Sequence, residues 1–124
     1  MLDRGLVLLT GPTGSGNNTR GIFAGGNVPG SGSSTQIYYI TVQTTGNTNT
    51  FGNLSQLRNS LPADTNGTRA VFCAGTTGQG GYNAPCYRNT NTMDYITIAN
   101  TGNASDFGDY HMCGNAAAGG IAGS

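Results

Sequence analysis

The chain has 124 residues, of which 22 are Gly and 35% are apolar, and its five Arg are balanced by five Asp. Zero net charge gives no basic footprint for nucleic acid, and the absence of Lys, Glu and Trp removes two of the better exposed-helix formers. What remains is rich in Thr, Asn, Ser and Gly, a strand- and turn-forming mixture with little core material for its length.

In chain order, the run Leu6 to Leu9 is too brief for a signal core or a membrane span, so neither is expected. Gly11 to Thr19 has the glycine spacing of a phosphate-binding loop, but Asn17 stands where that loop needs Lys. Residues 1–18 therefore read as an N-terminal strand followed by a flexible Gly-rich connector. A first β-repeat, 19–67, then carries Thr19-Arg20-Gly21-Ile22-Phe23-Ala24-Gly25, Tyr39-Ile40-Thr41-Val42, Thr45-Gly46-Asn47 and Phe51-Gly52-Asn53.

The same blocks return over 68–115. Thr68-Arg69-Ala70-Val71-Phe72 lies 49 residues after its counterpart, while Tyr95-Ile96-Thr97-Ile98, Thr101-Gly102-Asn103 and Phe107-Gly108-Asp109 lie 56 after theirs. The difference is a loop insertion between Gly78 and Asn91, and residues 116–124 form a Gly/Ala-rich C-terminal segment. Residues Arg20, Phe23, Gly25, Tyr39, Gly46 and Phe51, with Arg69, Phe72, Gly75, Tyr95, Gly102 and Phe107, define the repeat. Ile40 and Val42 fall on one face of a strand and Tyr39 and Thr41 on the other. The Thr-Gly-Asn stretch predicts a tight hairpin turn with its glycine at positive φ. Each repeat is thus an antiparallel meander, and the fold class is all-β.

Apparent chemical motifs have simpler readings. Asp106-Phe107-Gly108 spells a kinase metal motif without a catalytic loop or a strand lysine, and belongs to the hairpin block. Asp106, Asp109, His111 and Cys113 carry metal-ligand chemistry, yet carboxylates beside a turn are turn formers first. No nucleophile signature accompanies His111, so no catalytic residue, metal or cofactor is assigned. Cys73, Cys86 and Cys113 are an odd number and read as free structural thiols, with Cys73 buried in its strand; a Cys73–Cys86 bridge is the alternative. Arg20 and Arg69 hold equivalent positions, which suits one shared structural role of tying loops. Four Asn-x-Ser/Thr sequons begin at Asn17, Asn53, Asn66 and Asn103 and arise readily in an Asn/Thr-rich chain.

The glycine and aromatic spacing of Asn18 to Tyr110 resembles kelch-like repeats in structural proteins of tailed, notably marine, bacteriophages. The resemblance implies propeller-like blades, and Gly25-Gly26 would be the kelch-like glycine pair; the second copy has Ala74-Gly75-Thr76 there. Two blades cannot close a ring of about four to eight, so completion by oligomerisation is expected, as a closed ring, a lattice or a fibre. The expected function is a virion structural protein, a capsid decoration, tail-associated or fibre subunit, with copies of itself and neighbouring virion proteins as partners. The alternative is a glycan-binding adhesin contacting a host-surface sugar through Tyr38, Tyr82, Tyr87 and Tyr110.

Overall fold

The structure, a computed structural model, describes residues 13–17, 19–77 and 90–114. These residues form β1 (Thr13–Gly16), β2 (Arg20–Ala24), β3 (Asn27–Val28), β4 (Gly32–Thr41), β5 (Asn49–Arg58), β6 (Ala63–Thr65), β7 (Arg69–Cys73), β8 (Thr90–Thr97) and β9 (Ser105–Gly114), and among them there is no helix. The fold is all-β, with every pairing antiparallel. β1, β2, β4 and β5 lie side by side in the first sheet, with short β3 against the start of β4; β6 to β9 form the second.

The repeat read from the sequence is a repeat of register. Arg20 faces Thr41 and Ile22 faces Tyr39 in the first sheet; Arg69 faces Thr97 and Val71 faces Tyr95 in the second. Even the irregularities recur. Pairing steps from Gly52 to Thr50 opposite Ile37 and Tyr38, and from Gly108 to Asp106 opposite Met93 and Asp94, so Phe51 and Phe107 are both bulged out of the ladder.

Three local expectations are corrected. The segment read as a flexible connector contains strand β1, because Thr13 to Gly16 pair along β2 as Ala63 to Thr65 pair along β7. The second sheet accordingly begins at Ala63, upstream of the 67/68 division suggested by the blocks alone. The Thr-Gly-Asn stretch does not make the reversal. The chain turns at Thr41–Thr44 and Thr97–Asn100, closed by Thr44 N–H to Thr41 O and Asn100 N–H to Thr97 O; Gly46 has no positive φ, and Gly102, at φ +158°, is close to extended. Finally, Ala74 and Gly75 (φ +50° and +103°) reproduce the backbone of Gly25 and Gly26 (+68° and +100°), so the glycine pair persists in conformation where its sequence is lost. Ala74 accepts a left-handed backbone that costs an L-residue about 1–2 kcal/mol.

The two sheets stack on each other with β1 beside β6 and β5 beside β9. Ile22, Ala24, Ile37, Phe51 and Leu54 of the first sheet meet Ala70, Phe72, Ile96 and Ile98 of the second, with Leu61 of the intervening link buried at the edge. In repeat terms the copies bury opposite faces. Ile22 is buried while its counterpart Val71 is half-buried; Phe72 is buried while its counterpart Phe23 is half-buried. The second sheet is therefore laid on the first in the same sense, as one layer of a stack follows another, and each faces its neighbour with a different side.

Candidate functional site

The two fully buried charged side chains among the described residues lie at the joint between the sheets. Arg58 ends β5 and is fully buried, as is Asp94 in β8, and the two form an ion pair at 2.6 Å. The Arg58 guanidinium also donates to Ala74 O at 2.9 Å and Thr92 O at 2.8 Å. Asp94 accepts from Ser55 N–H at 2.8 Å and from the Ser55 hydroxyl at 2.7 Å. Burial lowers the Arg58 pKa from its usual value, and the Coulombic attraction and hydrogen bond of Asp94 oppose that shift. Every strong partner is structural: carbonyls, a serine and one carboxylate. The link between the sheets is stitched alongside, by reciprocal Asn59–Thr76 backbone bonds and by the Asn59 amide donating to Ser33 and Asn27.

Repeated residues, chiefly those of the first copy, contribute the rest of the joint. Asn17 and Asn66 each accept two backbone bonds through Oδ1, from Thr19 and Arg20 and from Thr68 and Arg69, which fixes the two strand-to-strand loops. Arg20 lies 4.5 Å over the Tyr39 ring, whose edge-on neighbour Phe51 is 6.1 Å away; Arg69, Tyr95 and Phe107 repeat the stack at 4.3 Å and 6.0 Å. Only the first stack is covered. From it Arg20 donates to Ile98 O across the joint at 2.7 Å, and Asn17 donates to Gly67 O at 2.9 Å. The Thr-Gly-Asn stretch of the second repeat reaches back: Gly102 N–H to Phe51 O and Ala104 N–H to Asn53 O, both 2.8 Å, while Asn103 Oδ1 accepts from Asn53 N–H at 3.1 Å.

The repeat-defining residues thus separate into a set that works at the joint and a set that does not. Arg20, Tyr39, Phe51, Phe72, Gly75 and Gly102 work at the joint, whereas Phe23, Gly46, Arg69, Tyr95 and Phe107 face away from it or border the open sides. Gly25 sits beside the joint, where a Cβ would meet Arg58 O at 2.4 Å. Of the four tyrosines proposed for sugar contact, Tyr82 and Tyr87 lie outside the described residues. Tyr38 sits in β4 of the first sheet and Tyr110 in β9 of the second; Tyr38 donates to the Gln36 side chain.

Cys73 corrects another expectation: it is a free thiol but half-buried, alternating with buried Phe72 on the outward face of β7. Burial raises its pKa, opposed by Arg58 and reinforced by Asp64. Cys86 lies outside the described residues. Asp106 caps its own bulge by accepting from Gly108 N–H at 2.9 Å, and among the described residues no group of three or more His, Cys, Asp or Glu is placed to hold a metal ion. No helix among them is long and apolar enough to cross a membrane.

The sequence reading missed Arg58, Ser55 and Asp94. Asp94 carried one signal: it shares the strand phase of Ile96 and Ile98, where a charge has no place unless paired. Arg58 carried none, since its partners come from a separate repeat. A search of protein-family models and of curated proteins finds no match to the chain.

Proposed function

We propose that this chain is a non-catalytic structural subunit of a virion, a capsid decoration, tail-associated or fibre component whose sheets act as propeller-like blades completed by assembly. One observation supports the reading most: the polar residues shared by both repeats are joint-making parts, and the second set stands uncovered. Arg69, Tyr95 and Phe107 hold the same mutual geometry as Arg20, Tyr39 and Phe51, and among the described residues no sheet lies upon them. A chain whose structural parts outnumber its own contacts suits work within a larger particle, with copies of itself or neighbouring virion proteins supplying the cover.

Immunogold labelling of purified particles with antibody raised against this chain tests the role. Regular labelling at one position on the particle is the expected result. Recovery of the chain only in the soluble fraction, with bare particles, would sink the proposal.

A further inference from the structure

Resting on that reading of an assembly subunit, we infer that the partner on the open faces is a second copy of this chain, stacked head to tail. The outward face of the second sheet would seat on the outward face of the next copy's first sheet. The contact repeats the joint already made inside each chain.

The two outward faces are the missing halves of that joint. Phe51 is 4% exposed in the joint, and its counterpart Phe107 is 48% exposed; Ile98 is 0% exposed, and its counterpart Val42 is 53% exposed. Around them the open side of the second sheet offers Val71 and Tyr95, matching buried Ile22 and core-packed Tyr39. The open side of the first sheet offers Phe23 and Ile40, matching buried Phe72 and Ile96. Both faces carry, at their centres, the apolar counterparts of residues that already pack together inside the joint.

The polar latches transfer as well. Arg69, held over Tyr95, is placed to donate to Val42 O of the next copy, as Arg20 donates to Ile98 O. Gly46, Asn47 and Thr48 of that copy repeat Gly102, Asn103 and Ala104, so they would meet Phe107 and Asp109 through the bonds now made to Phe51 and Asn53. The open depression lined by Asp64, Asn66, Arg69, Val71 and Phe107 is then the uncovered half of a joint. Because the stack of Arg69, Tyr95 and Phe107 is already formed, little ordering is needed on contact. One element does not transfer: Arg58 and Asp94 correspond to Gly114 and Tyr38. The contact between copies lacks the buried ion pair and is dominated by apolar surface.

The arrangement is heterologous, one face on a different face, and so propagates into a ring or a filament. Sedimentation of the full chain tests it, because each face can be spoiled separately at a residue that is exposed in the single chain. Wild type should show masses in multiples of 12.6 kDa that grow with concentration and persist in high salt. Phe107→Asp and Val42→Asp should each sediment as folded single chains, with unchanged circular dichroism. An equimolar mixture of the two should form a species of two chains and nothing larger, since one intact pair of faces remains. Wild type that stays a single chain at all concentrations would overturn both this inference and self-assembly. Wild-type assembly that survives in both variants, or a mixture that stays monomeric, would overturn the head-to-tail contact while leaving self-assembly standing.

Discussion

Replacing Asp94 by Leu tests one of the two fully buried charges among the described residues. The substitution leaves the Arg58 guanidinium fully buried without its carboxylate, and Arg58 Nε already lacks a hydrogen-bond partner. Stranding one member of a buried pair costs about 3–5 kcal/mol. At an unfolding entropy of about 2.1 cal/mol/K per residue, that loss lowers the midpoint of a 124-residue chain by about 12 to 19 °C. Arg58→Met should cost a similar amount, since Asp94 then keeps only Ser55. The double variant should lose only about 1–2 kcal/mol, the residue left by Ser55 and by the Ala74 and Thr92 carbonyls that lose a donor. Urea unfolding followed by circular dichroism at one fixed protein concentration gives the three values and their coupling. The reasoning fails if the two single losses simply add in the double variant, or if either single loss disappears in high salt as a solvated pair would.

Further predictions read other parts of the joint. Asn17→Ala should cost about 1 kcal/mol more than Asn66→Ala in the single chain, because both lose the same loop bonds but only Asn17 also donates to Gly67 O; equal losses in urea unfolding would contradict this. Gly25→Ala places a Cβ 2.4 Å from Arg58 O and 2.9 Å from the Leu61 Cδ2 at φ +68°, and should destabilise by more than about 3 kcal/mol, whereas Gly30→Ala, at φ +80° with nothing within 4 Å, should cost only about 1–2 kcal/mol. Comparable thermal shifts for the two would show that the crowding is unimportant. For Cys73 the folded pKa is raised, so the folded chain holds its thiol proton longer than the unfolded chain does. That contribution is complete below the ordinary value of 9.0 and is lost as pH rises through the folded pKa, and Cys73→Ala should flatten this alkaline fall in stability. An unchanged pH slope in the variant would refute the assignment.

The strand blocks were legible because their information is local. Tyr39-Ile40-Thr41 and Tyr95-Ile96-Thr97 carry the strand period, and their recurrence places equivalent residues in equivalent register. Which side of each strand would be covered was not legible. Phe23 and Phe72 are the same residue at the same repeat position, and burial distinguishes them only through the sheet lying opposite. The role of the second Thr-Gly-Asn stretch was not legible, since its bonds run to the neighbouring sheet and nothing within its own repeat reveals them. The backbone of Gly25-Gly26 survives as Ala74-Gly75 because conformation tolerates one strained alanine where identity does not show it. Asn-x-Thr recurs for a physical reason that the sequon pattern concealed, each Asn closing its loop through Oδ1.

The link from Asn59 to Pro62 gives the joint inside the chain an advantage that the proposed joint between chains would lack. It buries Leu61 and holds the second sheet on the first through the Asn59–Thr76 bridge. Sheets joined by so short a tether experience an effective concentration of each other on the order of millimolar or higher, so the joint inside the chain forms whatever the dilution. Two separate chains joined as proposed would have no tether, and would have to give up translational and rotational freedom to meet. In the proposed stack the same contact would be permanent within a chain and concentration-gated between chains, so that copies would stay dispersed while scarce and join as their concentration rises.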